Sequence, residues 1–185
     1  EVYFKKPEME RVKIEIAETD ATKGKKGAKV QIVEFSDFQC PYCSRGADAI
    51  NELAKKYGSK VQIAFKHYPL PFHPQAKPAS EISLCVKKAH GDDKFWKYHD
   101  LVFKNQEKMD NESLLKYAKD IGADEAKIKE CFDKGEFKAQ VEKDMEYGNK
   151  IGVRSTPTFF INGQLVAGAL PVEQFSEMID EELKK

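Results

Sequence analysis

The stretch Phe35-Ser36-Asp37-Phe38-Gln39-Cys40-Pro41-Tyr42-Cys43-Ser44-Arg45-Gly46 places two cysteines two residues apart, after an apolar run and ahead of a helical pattern. A Cys-x-x-Cys pair that starts a helix has a mechanical meaning. The first sulfur lies where unpaired amide groups and the helix dipole favour negative charge, so Cys40 is expected to be thiolate-prone. The second sulfur is carried deeper by the helix, which makes Cys43 the resolving thiol. Pro41 fits the first turn, where its missing amide costs nothing. Two other readings of the pair are half of a metal site and two inert thiols. The metal reading needs two more soft ligands at matching spacing, and the chain has no second Cys-x-x-Cys and no His-x-x-x-His. His67, His73, His90 and His99 show no ligand spacing and read as surface or helix-packing residues, so no metal and no cofactor is expected.

Outward from the motif, Val30 to Phe35 reads as a strand rich in β-branched residues and Val61 to Phe65 as another. Between them Ala47, Ile50, Leu53, Ala54 and Tyr57 recur at helical spacing up to the stop signal Gly58. Strand, helix, strand is a parallel crossover unit. Further upstream, Val12, Ile14 and Ile16 alternate with Lys13 and Glu15, the period of a half-buried strand, before a turn at Gly24 to Gly27.

After the proline-punctuated stretch Tyr68 to Pro78 the pattern turns helical. Ile82, Cys85, Val86 and Ala89 share one face, Phe95, His99, Val102 and Phe103 suit a second helix, and Leu114–Ile121, Ile128–Phe137 and Val141–Ile151 suit three more, with Gly91, Gly122 and Gly135 as punctuation. Strands return at Thr158 to Ile161 and Gln164 to Ala167, joined by Asn162-Gly163, a strong hairpin signal, and Val172 to Leu183 closes the chain as a helix. Ser155-Thr156-Pro157-Thr158 sets a proline just before a strand. Proline cannot donate within a ladder, so Pro157 belongs at a strand end or a special turn. An ordinary trans loop proline is one reading. A cis bond that turns the Thr156 backbone toward the cysteines, to hold an extended substrate by strand-like pairing, is the other.

The chain of 185 residues is long enough to bury a core without metal or disulfide staples, so stability alone does not demand the cysteines. Lys plus Arg and Asp plus Glu both count 31, so nothing steers it toward nucleic acid or an anionic membrane. No apolar run approaches the roughly 20 residues a membrane helix needs, and Glu1-Val2-Tyr3-Phe4-Lys5-Lys6 is no signal-peptide core. A signal already removed would leave the same appearance. Four cysteines suit an oxidising compartment.

Three segments together resemble the thioredoxin superfamily in its DsbA-like, Thioredoxin_4-type branch: Val33 to Cys43, Lys94-Phe95-Trp96-Lys97-Tyr98-His99-Asp100, and Gly152 to Gly163. The resemblance covers nearly everything from Val30 to Lys185. It implies an α/β thioredoxin fold interrupted by a helical domain, with residues 1–67 and 151–185 as its two parts and 68–150 as the insertion. It also implies a cis Pro157 beside the active site and disulfide exchange with reduced or misoxidised exported proteins. The setting would be periplasmic or otherwise extracytoplasmic, with a membrane or soluble redox partner. Pro41, Tyr42, Thr156 and Pro157 are then the residues a docked substrate meets. In such proteins an acid at the position of Glu34 lies beneath the sulfurs, and Lys66, ending the next strand, resembles its partner; a buried carboxylate there can move protons to and from Cys43. Without that resemblance, an edge position in water is an equal reading for Glu34. Some relatives join cysteines placed like Cys85 and Cys131 as a structural disulfide, and two buried free thiols are the alternative. Tyr42 departs from the branch's best-known dipeptide, which carries histidine; Cys-Pro-Tyr-Cys also resembles the shorter glutaredoxins and the DsbG-type isomerases. Three functions follow: an envelope oxidase, a reductase or isomerase working with Cys40 reduced, and a chaperone-like module that binds beside Pro157 without turnover.

Overall fold

The computed structural model describes residues 10–185, so the N-terminal hexapeptide lies outside the described residues. A five-stranded sheet runs in the order β1-β3-β2-β4-β5. Strands β2 (Val30–Ser36) and β3 (Val61–His67) are parallel and joined by helix α1 (Pro41–Tyr57), as the spacing predicts. Strand β1 (Ala21–Gly24) pairs antiparallel with β3 on one side, and β4 (Thr158–Ile161) and β5 (Gln164–Ala167) extend the sheet antiparallel on the other. Asn162 and Gly163 both take positive φ, 45° and 82°, which is what a two-residue turn between twisted strands requires.

Between β3 and β4 come five helices: α2 (Ala76–His90), α3 (Asp92–Phe103), α4 (Asn111–Asp120), α5 (Glu125–Asp133) and α6 (Lys138–Lys150). The stretch read as Ile128 to Phe137 stops as a helix at Asp133, because Gly135 at φ 62° turns the chain ahead of α6. Helix α7 (Val172–Leu183) closes the fold.

Period-two alternation gives the sheet two packed faces. Ile32, Ile63, Phe65, Phe159 and Ile161 belong to a large core with α1, α7 and helices α2 to α5, whereas Val33, Phe35, Ala64 and Phe160 belong to a smaller one with α6. The segment around Val12, Ile14 and Ile16 is the one expected strand that is not a strand. Its three apolar side chains pack onto the smaller core, and Val12 N–H donates to the Gly163 carbonyl at 2.8 Å, but the segment joins no ladder. Alternation reports which side of a segment is covered, and an extended strap lying across a sheet face satisfies it as well as a paired strand does.

Cys85 of α2 and Cys131 of α5 are joined as a disulfide across a sequence separation of 46. A loop of that size removes chain entropy worth about 4 kcal/mol from the unfolded state. Cys85→Ala/Cys131→Ala should therefore lower the unfolding free energy by about 2–4 kcal/mol in denaturant titrations. An unchanged midpoint would show that the helical segment does not depend on the bond.

Candidate active site

Cys40 caps the N-terminus of α1 with Pro41 in the first turn, and no acidic side chain lies in that turn to compete for its exposed amides. Both thiols are unbonded, and they are chemically unequal. Cys43 is fully buried, while Cys40 keeps 4% of its surface exposed. The Cys40 thiol is held down to about 5, first by the hydrogen bond from Cys43 and then, against the opposing effect of burial, by Thr156 and the backbone amides of Cys43 and Tyr42. Burial pushes the Cys43 thiol far up, and its hydrogen bond with Cys40 and the Cys40 thiolate charge push the same way. One sulfur is therefore a stable thiolate near neutral pH and the other holds its proton. Across from them the Thr156–Pro157 peptide is cis, and Cys40 Sγ lies 3.8 Å from the Thr156 carbonyl oxygen.

Glu34 lies beneath this pair. It is 1% exposed on the central strand, and neither carboxylate oxygen has a hydrogen-bond partner. Burial raises its pKa to about 8, with Lys23 pulling the other way. At neutral pH the side chain is a neutral acid. Its room is provided by Gly46 of α1: a Cβ there would come within 2.8 Å of Glu34 Oε2 and 3.3 Å of Phe159 and Pro157 side-chain atoms.

Lys66 is not the partner of Glu34. In the parallel register Glu34 stands beside Phe65, whereas Lys66 stands beside Phe35 and projects to the opposite face of the sheet. There it makes a buried ion pair with Asp20 at 2.7 Å and lies 5.2 Å from the Tyr147 ring centre. The cation on the Glu34 face is Lys23 of edge strand β1, which stands level with Ile63. Lys23 Nζ donates to Asn51 Oδ1 at 2.7 Å and lies 4.3 Å from the Trp96 ring centre, and Asn51 in turn donates to Asp100 at 3.0 Å. Burial lowers the Lys23 ammonium, with Asp100 and Glu34 opposing.

Asp37 organises the turn that carries the motif. Its fully buried carboxylate accepts from Gln39 N–H at 2.7 Å and Leu70 N–H at 2.8 Å and is paired with His73 Nδ1 at 2.8 Å, while its own N–H points at Cys43 Sγ at 3.5 Å. Gln106, just beyond α3, donates to the carbonyls of Phe38 and Cys40, each at 3.0 Å. His67 and His99 are core residues rather than surface ones, set edge-on among Phe38, Phe65 and Phe95. Burial keeps both neutral, His67 down to about 3. Sequence reasoning missed Asp37, Gly46, Lys23 and Gln106. Only Gly46 carried a signal, a glycine inside a helical run, which is unfavourable unless something approaches closely.

Comparison with known proteins agrees with this geometry. The family model Thioredoxin_4, described as Thioredoxin, matches residues 17–181. Disulfide bond formation protein D of Bacillus subtilis (strain 168) is 28% identical over 168 residues, covering 87% of this chain and 76% of that protein. The Na(+)/H(+) antiporter NhaA 3 of Salinispora tropica is 31% identical over 161 residues, covering 86% of this chain and 24% of the antiporter. The chain thus spans only 24 to 25% of the first antiporter relatives it matches, and among the described residues no helix is long and apolar enough to cross a membrane. Among solved structures, oxidised BdbD from Bacillus subtilis superposes with a TM-score of 0.81 at 29% identity over 90% of this chain and 94% of that one. The thiol-disulfide exchange protein alpha-DsbA2 from Wolbachia pipientis shares the fold, with a TM-score of 0.80 at 22% identity over 88% of this chain and 87% of that one. A DsbA-like thioredoxin fold is what these matches have in common.

Two outcomes follow from Glu34 and its surroundings. Its folded pKa, about 8, lies above the ordinary glutamate value of 4.5, so between those pH values the unfolded chain has released a proton that the folded chain keeps. Stability should fall as pH rises through that window and level off above it, and Glu34→Gln should flatten the slope in denaturant titrations at successive pH values. A slope unaltered by the substitution would place the titration elsewhere. Gly46→Ala gains about 1 kcal/mol of helix propensity but crowds a packed core at a cost of roughly 1–3 kcal/mol. Thermal unfolding should show a net loss, and a gain would show that the carboxylate has room to move.

Proposed function

We propose that this chain, which belongs to the thioredoxin superfamily in its DsbA-like branch, is a protein thiol-disulfide oxidoreductase that oxidises reduced, exported polypeptides. The observation that carries the reading is the inequality of the two sulfurs: a thiolate-prone Cys40 at the helix start and a buried, proton-holding Cys43. In the oxidised protein a substrate thiolate attacks Cys40 Sγ, the Cys40–Cys43 bond breaks, and Cys43 leaves with the electron pair. Glu34, a neutral acid below about pH 8, supplies the proton that Cys43 takes up. A second substrate thiolate then attacks the substrate sulfur of the mixed disulfide, forming the substrate disulfide and releasing Cys40 as a thiolate. Two electrons have moved from substrate to protein. A redox partner bearing a disulfide or an equivalent two-electron acceptor returns the pair to its oxidised state.

The low value at Cys40 supports the direction. A thiolate stable near pH 5 stabilises the reduced form and makes the corresponding disulfide the stronger oxidant. Tyr42 is 61% exposed and offers the thiolate no charge of its own, so the stabilisation is assigned to Cys43, Thr156 and the helix amides. The backbone of Thr156 beside Cys40 holds the substrate in extended form, with Pro41, Tyr42 and Pro157 around it. Residues 68–150 are read as a helical domain inserted between residues 1–67 and 151–185. An extracytoplasmic setting is part of the same proposal, supported by the likeness to disulfide bond formation protein D.

With reduced ribonuclease as substrate and oxidised glutathione as the two-electron acceptor, Cys43→Ser should accumulate a mixed disulfide on Cys40, whereas Cys40→Ser should accumulate none. Non-reducing electrophoresis and mass mapping read the outcome. Equal trapping by the two variants would sink the assignment of roles, and an equilibrium with glutathione that leaves wild-type protein oxidised would reverse the direction.

A further inference from the structure

Asp37 touches both cysteines of the motif through its backbone. Its carbonyl accepts from Cys40 N–H at 3.1 Å, and its own N–H points at Cys43 Sγ at 3.5 Å. Strand β2 ends at Ser36, so this amide has left the sheet ladder. The residue is fully buried, where an N–H without an acceptor is costly, and the acceptor it faces is a sulfur. A neutral thiol or a disulfide sulfur accepts weakly, whereas a thiolate accepts strongly. The contact is therefore slight before exchange begins and tightens as negative charge gathers on Cys43, which is how a preorganised donor lowers a barrier. The side chain of Asp37 fixes the direction of that amide. Oδ1 accepts from Gln39 N–H at 2.7 Å in an Asx turn, and Oδ2 meets Leu70 N–H and His73 Nδ1, each at 2.8 Å. The loop that supplies Leu70 and His73 is held again where Gln75 N–H donates to Gln39 Oε1 at 2.8 Å.

We infer that the Asp37 N–H is the group that takes up the charge on the Cys43 sulfur as the Cys40–Cys43 bond opens, and that the Asp37 carboxylate is the positioning group that aims it. The inference rests on the oxidoreductase reading above. When a thiolate attacks Cys40 Sγ, a new S–S bond forms there and the Cys40–Cys43 bond breaks with its electron pair on Cys43 Sγ. At that moment Cys43 is charged in a place where burial disfavours charge. The amides of Tyr42 and Cys43 favour the thiolate of Cys40, not that of Cys43. The Asp37 N–H is the backbone donor that faces Cys43 and favours its charged form. Once the proton arrives the charge is gone and the contact is weak again. In the reverse step Cys43 has to lose that proton before it can attack, and the same amide steadies the thiolate it becomes. Glu34 thus handles the proton of Cys43 and Asp37 its charge.

The test measures two rate constants on the full chain with dithiothreitol as the attacking thiol. The first is for opening of the Cys40–Cys43 disulfide, in which Cys43 is the leaving sulfur. The second is for release of glutathione from Cys40 in the Cys43→Ser protein, in which no sulfur at position 43 takes part. Acid quenching, alkylation and peptide mass mapping read both and keep the Cys85–Cys131 bond apart from them. Asp37→Ala should lower the ratio of the first constant to the second by about tenfold. Asp37→Asn keeps an oxygen acceptor in a side chain of the same shape; it should lower the ratio by about threefold, and it carries the comparison if the alanine variant does not fold. A substitution that merely loosens the turn slows both steps alike and leaves the ratio where it was. That result, or a ratio that rises, would overturn the role of Asp37 and leave the proposed function standing. A wild-type protein whose Cys40–Cys43 disulfide dithiothreitol does not open would overturn both.

Discussion

A carboxyl group with both oxygens buried and unbonded sits on the central strand, and its neighbours are arranged around it. Burying an ionised carboxylate without partners costs far more than one residue of a domain this size can offset, so Glu34 stays protonated instead. Neutrality in turn constrains the helix above. The side chain needs space where α1 crosses the sheet, and Gly46 supplies it one turn beyond Cys43. The same helix whose start holds the Cys40 thiol down thus overlies a buried, protonated carboxyl group. A well-packed apolar residue at position 34 would serve stability better, so the carboxyl group is not explained by folding alone.

The local chemistry was legible in the sequence because it is written locally. Cys-x-x-Cys with proline in the first turn, the β-branched strands and the Asn-Gly hairpin each depend on residues within a few positions of one another, and each is found in place. Pairings across the sheet were not legible, because they turn on parity. Lys66 ends the strand beside the one carrying Glu34, but a register that sets Glu34 against Phe65 sends residue 66 through to the far face. Its true partner, Asp20, precedes an edge strand that composition does not announce. Lys23 was hidden for the same reason: the strand expected at Val12 to Ile16 is a strap, and the short β1 that brings Lys23 to the Glu34 face lies just where a turn was expected to begin.

The histidines illustrate a second limit. Isolated histidines without ligand spacing read as surface or helix packing, yet His67 and His99 are enclosed by the aromatic residues next to the motif. His99 shares a helical face with Phe95, Val102 and Phe103, which is the helix-packing reading, whereas His67 at the end of β3 has no such pattern around it. Kept neutral, they act there as flat, weakly polar rings. Cys85 and Cys131 were similarly undecided between bond and free thiols until the packing of α2 against α5 was known.

The inserted helical segment does more than lengthen the chain. The turn from Ser36 to Cys40 has few neighbours of its own, and its orientation has to be fixed closely if Cys40 is to sit opposite Thr156 and Cys43 beneath it. On one side Asp37 gathers the proline-rich loop through Leu70 and His73, spending a buried carboxylate on three donors. On the other, Gln106 from the insertion donates to the carbonyls of Phe38 and Cys40, the latter also accepting from Cys43 N–H. Phe38, held between these two sides, stacks on Phe65 and Phe103, and so ties the turn to the sheet and to α3 together. The reactive thiolate is therefore positioned by elements that enter the chain after it. An insertion between β3 and β4 thus reaches the turn before Cys40 at two points, Asp37 and Gln39 through the proline-rich loop and the Phe38 and Cys40 carbonyls through Gln106, without contributing to the sulfur pair itself.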